Sequence, residues 1–353
     1  MKLFTVGPVE PYPFTREVYS REIPYFRTLE YSSLVRRCMS RLQSYLGMEE
    51  EGRLIYYASS GTGAMEATID NLLSPIEDKA LVINGGTFGE RFCQLLHQHS
   101  IRYTEIKLQD GEALDESHLI PYSDKEYTAL IVNLHETSTG QLYDIGILSR
   151  FCRANNMLLI VDAISTFMVD SYNMQQYEID VTIFSSQKGL CLSAGMAFVA
   201  LSKRALAHIR GSQKCKYFNF EDSLVNMERY QTPYTPAVAI MYELDAMLTY
   251  IEEHGGLSKW LEGIRLRCNY FRKQANAAGL DFCRDYPLSN MLTPLLTGSA
   301  DAHEIFLQLS QQFGFYVNPC GGARAHSMLR ISHVGNLNND DSDALIAAIK
   351  TLI

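Results

Sequence analysis

Six short apolar runs, rich in β-branched residues and set apart by polar or helix-forming stretches, restrict the fold of this chain more than any other feature of its sequence. They are Leu54–Tyr57, Ala80–Ile83, Tyr127–Leu134, Leu158–Val161, Thr182–Phe184 and Ala197–Leu201. Runs this short that are apolar throughout read as strands buried on both faces, the habit of parallel sheets. Stretches with helical character come between them, as at Ala64–Ile69 and over 146–155. Strand, helix, strand, repeated in that order, predicts an α/β fold with a mainly parallel sheet covered by helices on both sides.

Two of the runs end in a charged residue. Leu158–Val161 leads into Asp162-Ala163-Ile164-Ser165, and Thr182–Phe184 leads into Ser185-Ser186-Gln187-Lys188-Gly189. Ligands of open α/β sheets gather at the carboxyl ends of the strands, so both residues are expected in one crevice. A Lys and an Asp delivered there suit a pyridoxal phosphate enzyme. The amine forms a Schiff base with the cofactor, and the carboxylate keeps the pyridine nitrogen protonated so that the ring accepts electrons. The plainer readings are a solvated Lys and an Asp that caps a helix.

Composition removes several other classes. The chain has 353 residues, 46% of them hydrophobic and 20% charged, which suits an ordinary globular protein with a sizeable core. A formal net charge of −9 without a basic cluster speaks against nucleic acid as a partner. No apolar run approaches the roughly 18 residues of a membrane-spanning helix, and Gly7-Pro8 interrupts the start of the chain before a signal-peptide core can form. Eight cysteines are scattered with no C-x-x-C pair. They read as reduced thiols rather than a disulfide framework, so a cytoplasmic location is expected, and no metal.

Further stretches bear on the crevice. Ser59-Ser60-Gly61-Thr62-Gly63 joins the first apolar run to a helix start, the arrangement that aims backbone N–H groups at a phosphate. It is neither a Walker loop nor the dinucleotide fingerprint, and a plain turn has the same composition. Asn84-Gly85-Gly86-Thr87-Phe88-Gly89 turns Phe88 either toward a flat cofactor or into the core. His135-Glu136-Thr137-Ser138-Thr139-Gly140 offers hydroxyl donors to a ring oxygen, or is an ordinary polar loop.

The ends of the chain are more irregular. Gly7, Pro8, Pro11 and Pro13 mark the first 20 or so residues as an arm laid over another part of the fold. The spacing predicts a helix over 32–46, and Pro233 and Pro236 forbid a continuous helix through the polar, aromatic stretch 207–236. Helices over 237–254 and 257–278 lead to a C-terminal α+β segment with short strands near 290–297 and 314–318, a strand over 327–332 and a helix over 340–352. Arg330, inside that last strand, needs an anion: a carboxylate gripped bidentately or an internal salt bridge.

As an ordered set these stretches resemble the class V aminotransferases, within the fold type I pyridoxal phosphate enzymes. The pattern is nearest to the 2-aminoethylphosphonate–pyruvate and alanine–glyoxylate transaminases. It rests on Gly7-Pro8, Ser60-Gly61-Thr62 with Met65-Glu66-Ala67, Asn84-Gly85 to Gly89-Glu90-Arg91, Glu136-Thr137-Ser138-Thr139-Gly140, Val161-Asp162-Ala163, Ser186-Gln187-Lys188, Thr232-Pro233-Tyr234-Thr235 and Leu329-Arg330-Ile331. The resemblance implies a large domain with a seven-stranded sheet over 15–240, preceded by an arm over 1–14 and followed by a small α+β domain over 241–353.

By the same resemblance Lys188 holds the cofactor and Asp162 binds its pyridine nitrogen. Ser60, Gly61, Thr62 and Gln187 bind its phosphate, Phe88 stacks on the ring and Thr137 binds near the ring hydroxyl. Thr235 matches a residue that reaches the phosphate of the neighbouring subunit, which implies a homodimer with shared active sites. Arg330 matches the arginine for the substrate carboxylate, and Gly7 lies in the arm that lines the substrate pocket. Two departures stand out: Phe88 occupies a place where Trp or Tyr is frequent, and the Thr-Thr that follows Gly-Pro in the aminoethylphosphonate enzymes is missing.

The expected activity is transfer of an amino group from a small amine or amino acid to a small 2-oxo acid such as pyruvate or glyoxylate. The donor is of the 2-aminoethylphosphonate, alanine or serine type. Two other readings keep the fold. A lyase of the cysteine desulfurase or kynureninase kind needs a mobile cysteine, for which Cys320 is the candidate; a non-catalytic binding protein needs none of this chemistry.

Overall fold

The computed structural model describes residues 1–212 and 214–353. Its centre is a seven-stranded sheet formed by β1 (Arg53–Tyr57), β2 (Lys79–Asn84), β3 (Arg102–Lys107), β4 (Ala129–Asn133), β5 (Leu158–Asp162), β6 (Val181–Ser185) and β7 (Ala197–Leu201). Across the sheet the order is β1-β7-β6-β5-β4-β2-β3. The pairs β2–β3, β2–β4, β4–β5 and β5–β6 are parallel, while β7 runs antiparallel to both β1 and β6.

β3 is the strand that the apolar pattern does not announce. It sits at the sheet edge, with only Ile106 of Arg102-Tyr103-Thr104-Glu105-Ile106-Lys107 buried. An edge strand is covered on fewer sides, so charged residues fit it and blunt its open hydrogen-bonding rim.

Helices cover both faces. On one face α1 (Leu29–Leu46) packs with α5 (Val238–Glu253), and their side chains and those of α4 (Ile145–Ala154) join Leu81, Leu130, Leu159 and Phe184 in one apolar core. On the other, α2 (Gly61–Leu72) and α3 (Thr87–Gln98) bury Met65, Ile69, Phe92 and Leu96 against Val82, Ile131 and Ile183. The alternation along each strand, one residue to each core, is why both sets are apolar.

A second sheet, β8 (Leu292–Leu296), β10 (Met328–Ser332) and β9 (Asn318–Pro319) in that order, is antiparallel. It shares a separate core with α6 (Gly256–Ala277) and α7 (Asn339–Lys350), built from Phe271, Leu295, Leu329 and Leu345. The first residues of the chain tie the two sheets together. Lys2–Leu3 pairs in parallel with Phe315–Tyr316, Val6 N–H donates to Asn318 Oδ1 at 2.8 Å, and Val9 N–H donates to the Gln187 carbonyl at 3.2 Å. The arm therefore crosses the carboxyl ends of β5 and β6 instead of hanging free. Beyond it Pro13–Glu17 and Val18–Ser20 form two short helices against α5.

Candidate active site

Parallel register does most of the assembly. Asn133 pairs with Asp162, Asp162 pairs with Ile183, and the chain leaves β6 at Ser185 to place Lys188 in the following turn. The reversed strand β7 lets the chain return at once along the same edge, closed by a 2.9 Å bond from Ser186 N–H to the Met196 carbonyl. Lys188 and Asp162 are both buried and close enough to influence each other's charge.

Burial dominates both titrations. It lowers the Lys188 ammonium to about 8, with Arg330 and Arg91 pushing the same way and Asp162 opposing. It pushes the Asp162 carboxyl up to about 7, against a 2.7 Å hydrogen bond from Ile164 N–H and the charges of Lys188 and Arg91. Two charges desolvated in one crevice is the arrangement by which side chains acquire reactivity near neutral pH.

The arm completes the lysine's surroundings. Lys188 Nζ donates to the Val6 carbonyl at 2.6 Å. Gly7 lies so close that a Cβ there would stand 2.5 Å from Lys188 Cδ and Cε and 2.7 Å from Nζ, and its φ of +143° lies in the region that glycine tolerates best. Gly7, named in the sequence for the substrate pocket, is packed directly on the lysine side chain.

The Ser60-Gly61-Thr62 turn lies one strand away. Ser60 occupies the cap position of α2, yet its hydroxyl makes no cap bond and remains exposed. A Cβ on Gly61 would fall 2.4 Å from Ile164 Cδ1 and 3.5 Å from Ser185 Oγ, so the turn and the Asp162 loop are in contact. Thr62 Oγ1 accepts from Arg91 Nη1 at 3.3 Å, and the Arg91 guanidinium also lies 4.9 Å from the centre of the Phe88 ring. Arg91 is thus a cation between the Ser60-Gly61-Thr62 turn, the Phe88 ring and the Lys188–Asp162 pair. Its place in the Gly89-Glu90-Arg91 stretch was visible in the sequence; its role was not.

Phe88 is half-buried and held by its backbone. The buried Glu136 carboxylate accepts from Phe88 N–H (3.2 Å), Gly89 N–H (3.2 Å) and Asn133 Nδ2 (2.9 Å), and from the Ser138 hydroxyl. One carboxylate so ties the glycine turn to the Thr137 loop, a part that sequence reading left unassigned because glutamates are usually solvated. Thr137 is buried, 2.8 Å by its hydroxyl from Ser165 Oγ, which is 3.0 Å from His135 Nδ1.

Arg330 reaches this loop from the second sheet. It donates to the carbonyls of Thr137 (3.2 Å) and Pro319 (3.0 Å), and burial lowers its pKa. Among the described residues no carboxylate forms an ion pair with it, which leaves a bound anion as the partner of choice. Thr235 is the one predicted residue that the chain does not bring to the crevice: it lies exposed on a loop, sharing a small cleft with Tyr57 and Ala58. Cys320 is buried, donates to the Ser138 carbonyl at 3.2 Å, and burial pushes its thiol up to about 11. Those properties oppose a mobile thiolate nucleophile.

Several polar atoms around the pair are buried without a hydrogen-bond partner among the described residues: Ser185 Oγ, Gln187 Oε1, His135 Nε2 and Arg330 Nε. Unpaired groups at this density are costly unless a polar ligand meets them. Together with a buried amine, a carboxylate, a helix start and a flanking ring, they fit pyridoxal phosphate.

Comparison with known proteins agrees. The family model described as "Aminotransferase class-V" matches residues 27–319. The chain is 28% identical to an uncharacterized aminotransferase of Helicobacter pylori over 341 residues, covering 95% of this chain and 89% of that protein. It is 27% identical to the L-aspartate–glyoxylate aminotransferase of Paracoccus denitrificans over 303 residues, covering 82% of this chain and 75% of that one. In fold it is similar to the alanine–glyoxylate aminotransferase from Nostoc sp., with a TM-score of 0.92 at 22% identity over 99% of this chain and 94% of that one.

Proposed function

The chain belongs to the class V aminotransferases and is a pyridoxal phosphate-dependent transaminase; from that premise we propose that it moves an amino group from a small amine or amino acid of the alanine, serine or 2-aminoethylphosphonate type to glyoxylate or pyruvate. The observation that carries this reading is the buried Lys188–Asp162 pair with Arg330 near enough to act on Lys188 and lacking an ion pair among the described residues. Use of glyoxylate by the Paracoccus relative supports the acceptor.

When bound, the cofactor supplies a carbonyl for the amine and a ring that draws electrons from the substrate carbon. Lys188 would hold it. With a pKa near 8, the lysine amine is partly neutral at physiological pH, which suits an attacking group and a base that moves a proton at the substrate carbon. Asp162 would hold the proton on the ring nitrogen, and Ser60, Gly61, Thr62 and Gln187 would bind the phosphate. Phe88 would stack on the ring, Thr137 would bind near its hydroxyl, and Arg330 would orient the carboxylate of the oxo acid. The Val6-Gly7 backbone keeps the lysine stem in line and water away from it.

We also propose a homodimer with shared sites. Its support is the exposure of Thr235, which has no partner role in its own crevice, and of the apolar Leu29 and Tyr25, 88% and 66% exposed. A division into 1–14, 15–240 and 241–353 is proposed as well. The separate core of Phe271, Leu295 and Leu345 supports it, while α5 packs on the large sheet and straddles the limit. Eight cysteines without a disulfide suit a reducing compartment such as the cytoplasm.

The test is an absorbance spectrum of the cofactor-loaded protein, repeated with alanine, serine or 2-aminoethylphosphonate added singly. A band at roughly 400–430 nm, lost in Lys188→Ala, is expected, and the amine that bleaches it is a donor. Arg330→Gln should keep the band but raise KM for the oxo acid about thirtyfold or more, the loss for one partner of a buried charge pair. A band that survives Lys188→Ala, or an unchanged KM in Arg330→Gln, contradicts these assignments.

A further inference from the structure

His135 has no part in the roles set out above, yet it is buried beside them. Its Nδ1 lies 3.0 Å from Ser165 Oγ, Ser165 Oγ lies 2.8 Å from Thr137 Oγ1, and Nε2 has no hydrogen-bond partner among the described residues. All three side chains are buried; the His135 carbonyl, 3.4 Å from both the Thr137 and the Ser165 hydroxyl, is the longer alternative acceptor, so the shorter contacts of the row take the hydroxyl protons first. Burial, helped by the positive charges of Lys188, Arg330 and Arg272, lowers the imidazole to about 3. It is neutral at any working pH, and only its tautomer is open.

The tautomer sets the direction of the row. With the proton on Nδ1, His135 donates to Ser165, Ser165 donates to Thr137, and the Thr137 hydrogen is left to point into the crevice. With the proton on Nε2, Ser165 donates to Nδ1 and Thr137 donates to Ser165 or to the His135 carbonyl, so that Thr137 offers only lone pairs to the crevice. The surroundings of Nε2 select the first order. An N–H at Nε2 would be a buried donor with no acceptor among the described residues, in a setting that Lys188, Arg330 and Arg272 make positive, whereas a lone pair there is favoured by the same charges.

We propose that His135, acting through Ser165, fixes Thr137 as a hydrogen-bond donor toward the crevice and is a positioning residue for the anionic ring oxygen of the cofactor. The proposal rests on the cofactor site assigned above. A donor to that oxygen stabilises its negative charge and weakens its hold on a proton at Lys188 Nζ, so the proton leaves at lower pH. Arg330, Asp162 and Arg91 also act on Lys188, and Glu136 acts on Asp162; all four stay in place when His135 is changed.

Two measurements decide the matter. In the cofactor-loaded protein, the pH midpoint of the visible band should rise by about half to one unit in His135→Leu and in Ser165→Ala, the scale of one hydrogen bond to a charged group. It should keep the wild-type value in His135→Asn, whose amide N–H can take the place of Nδ1–H. In the cofactor-free protein, 15N NMR of labelled histidine should show the His135 proton on Nδ1. A midpoint unmoved in Ser165→Ala, an equal rise in His135→Asn, or a proton on Nε2 overturns the relay. A wild-type protein without the band would instead refute the cofactor assignment, and the NMR result still decides the relay by itself.

Discussion

The sharpest consequence of the crevice is that Asp162 weakens the fold it serves. Its carboxyl is pushed from 3.8 up to about 7 by burial. Between those values the folded protein holds a proton that the unfolded chain has released, so stability falls as pH rises, and the whole cost is present above pH 7. A shift of about 3 units at about 1.4 kcal/mol each puts that cost near 4 kcal/mol. Asp162→Asn keeps the shape and the acceptor for Ile164 N–H while removing the charge. In cofactor-free protein at pH 8 it should therefore raise Tm by about 5 °C, given that about 0.7 kcal/mol corresponds to 1 °C in a chain this long. At pH 5 the advantage should shrink to about 2 °C, because most of the wild-type carboxyl is then protonated in the folded state. The same variant should bind the cofactor about a hundredfold more weakly, since a buried cationic ring nitrogen would lose its counter-charge. Thermal melts at the two pH values and a cofactor titration test this. A gain in Tm that does not change between pH 5 and pH 8 would refute the reasoning, because it would not come from the ionisation of Asp162.

Two other outcomes follow from the same surroundings. Gly7→Ala would push Lys188 aside and adopt a strained φ, so it should slow cofactor incorporation into the visible band about a hundredfold, the effect of misplacing a reacting group by about 1 Å; Gly298→Ala, at φ +62° with nothing within 4 Å, should leave incorporation unchanged. Burial lowers His135 to about 3 and His333 well below its ordinary value, so from about pH 6.5 downward the unfolded chain takes up protons that the folded one refuses, and each histidine removes about 1.4 kcal/mol of stability per pH unit. Urea denaturation between pH 4.5 and 6.5 should show a slope smaller by one proton in His135→Asn than in wild type, and an identical slope would show that His135 is not held neutral.

What the sequence disclosed and what it hid follow from how each residue earns its place. The buried strands were legible because burial on two faces leaves a continuous apolar run, and Asp162 and Lys188 stood out by ending such runs. The edge strand Arg102–Lys107 was not, since an edge needs charge more than it needs apolar cover. Arg330 was legible as a charge inside a strand, but that it meets the carbonyls of Pro319 and Thr137 and no carboxylate among the described residues was not. Glu136, Arg91 and His135 were hidden for a related reason. A polar side chain shows nothing in sequence of whether it is solvated or buried, and these three act through contacts made across the crevice: Glu136 on the Phe88 turn, Arg91 on Thr62, His135 on Ser165. Residues that touch a ligand are selected by chemistry, and their types betray them. Residues that aim those groups are selected by position, and position exists only once β2, β4, β5 and β6 lie side by side. The orienting layer of this site therefore becomes readable only when the sheet is in hand, and it is there that the unpaired Nε2 of His135 carries information that no spacing rule contains.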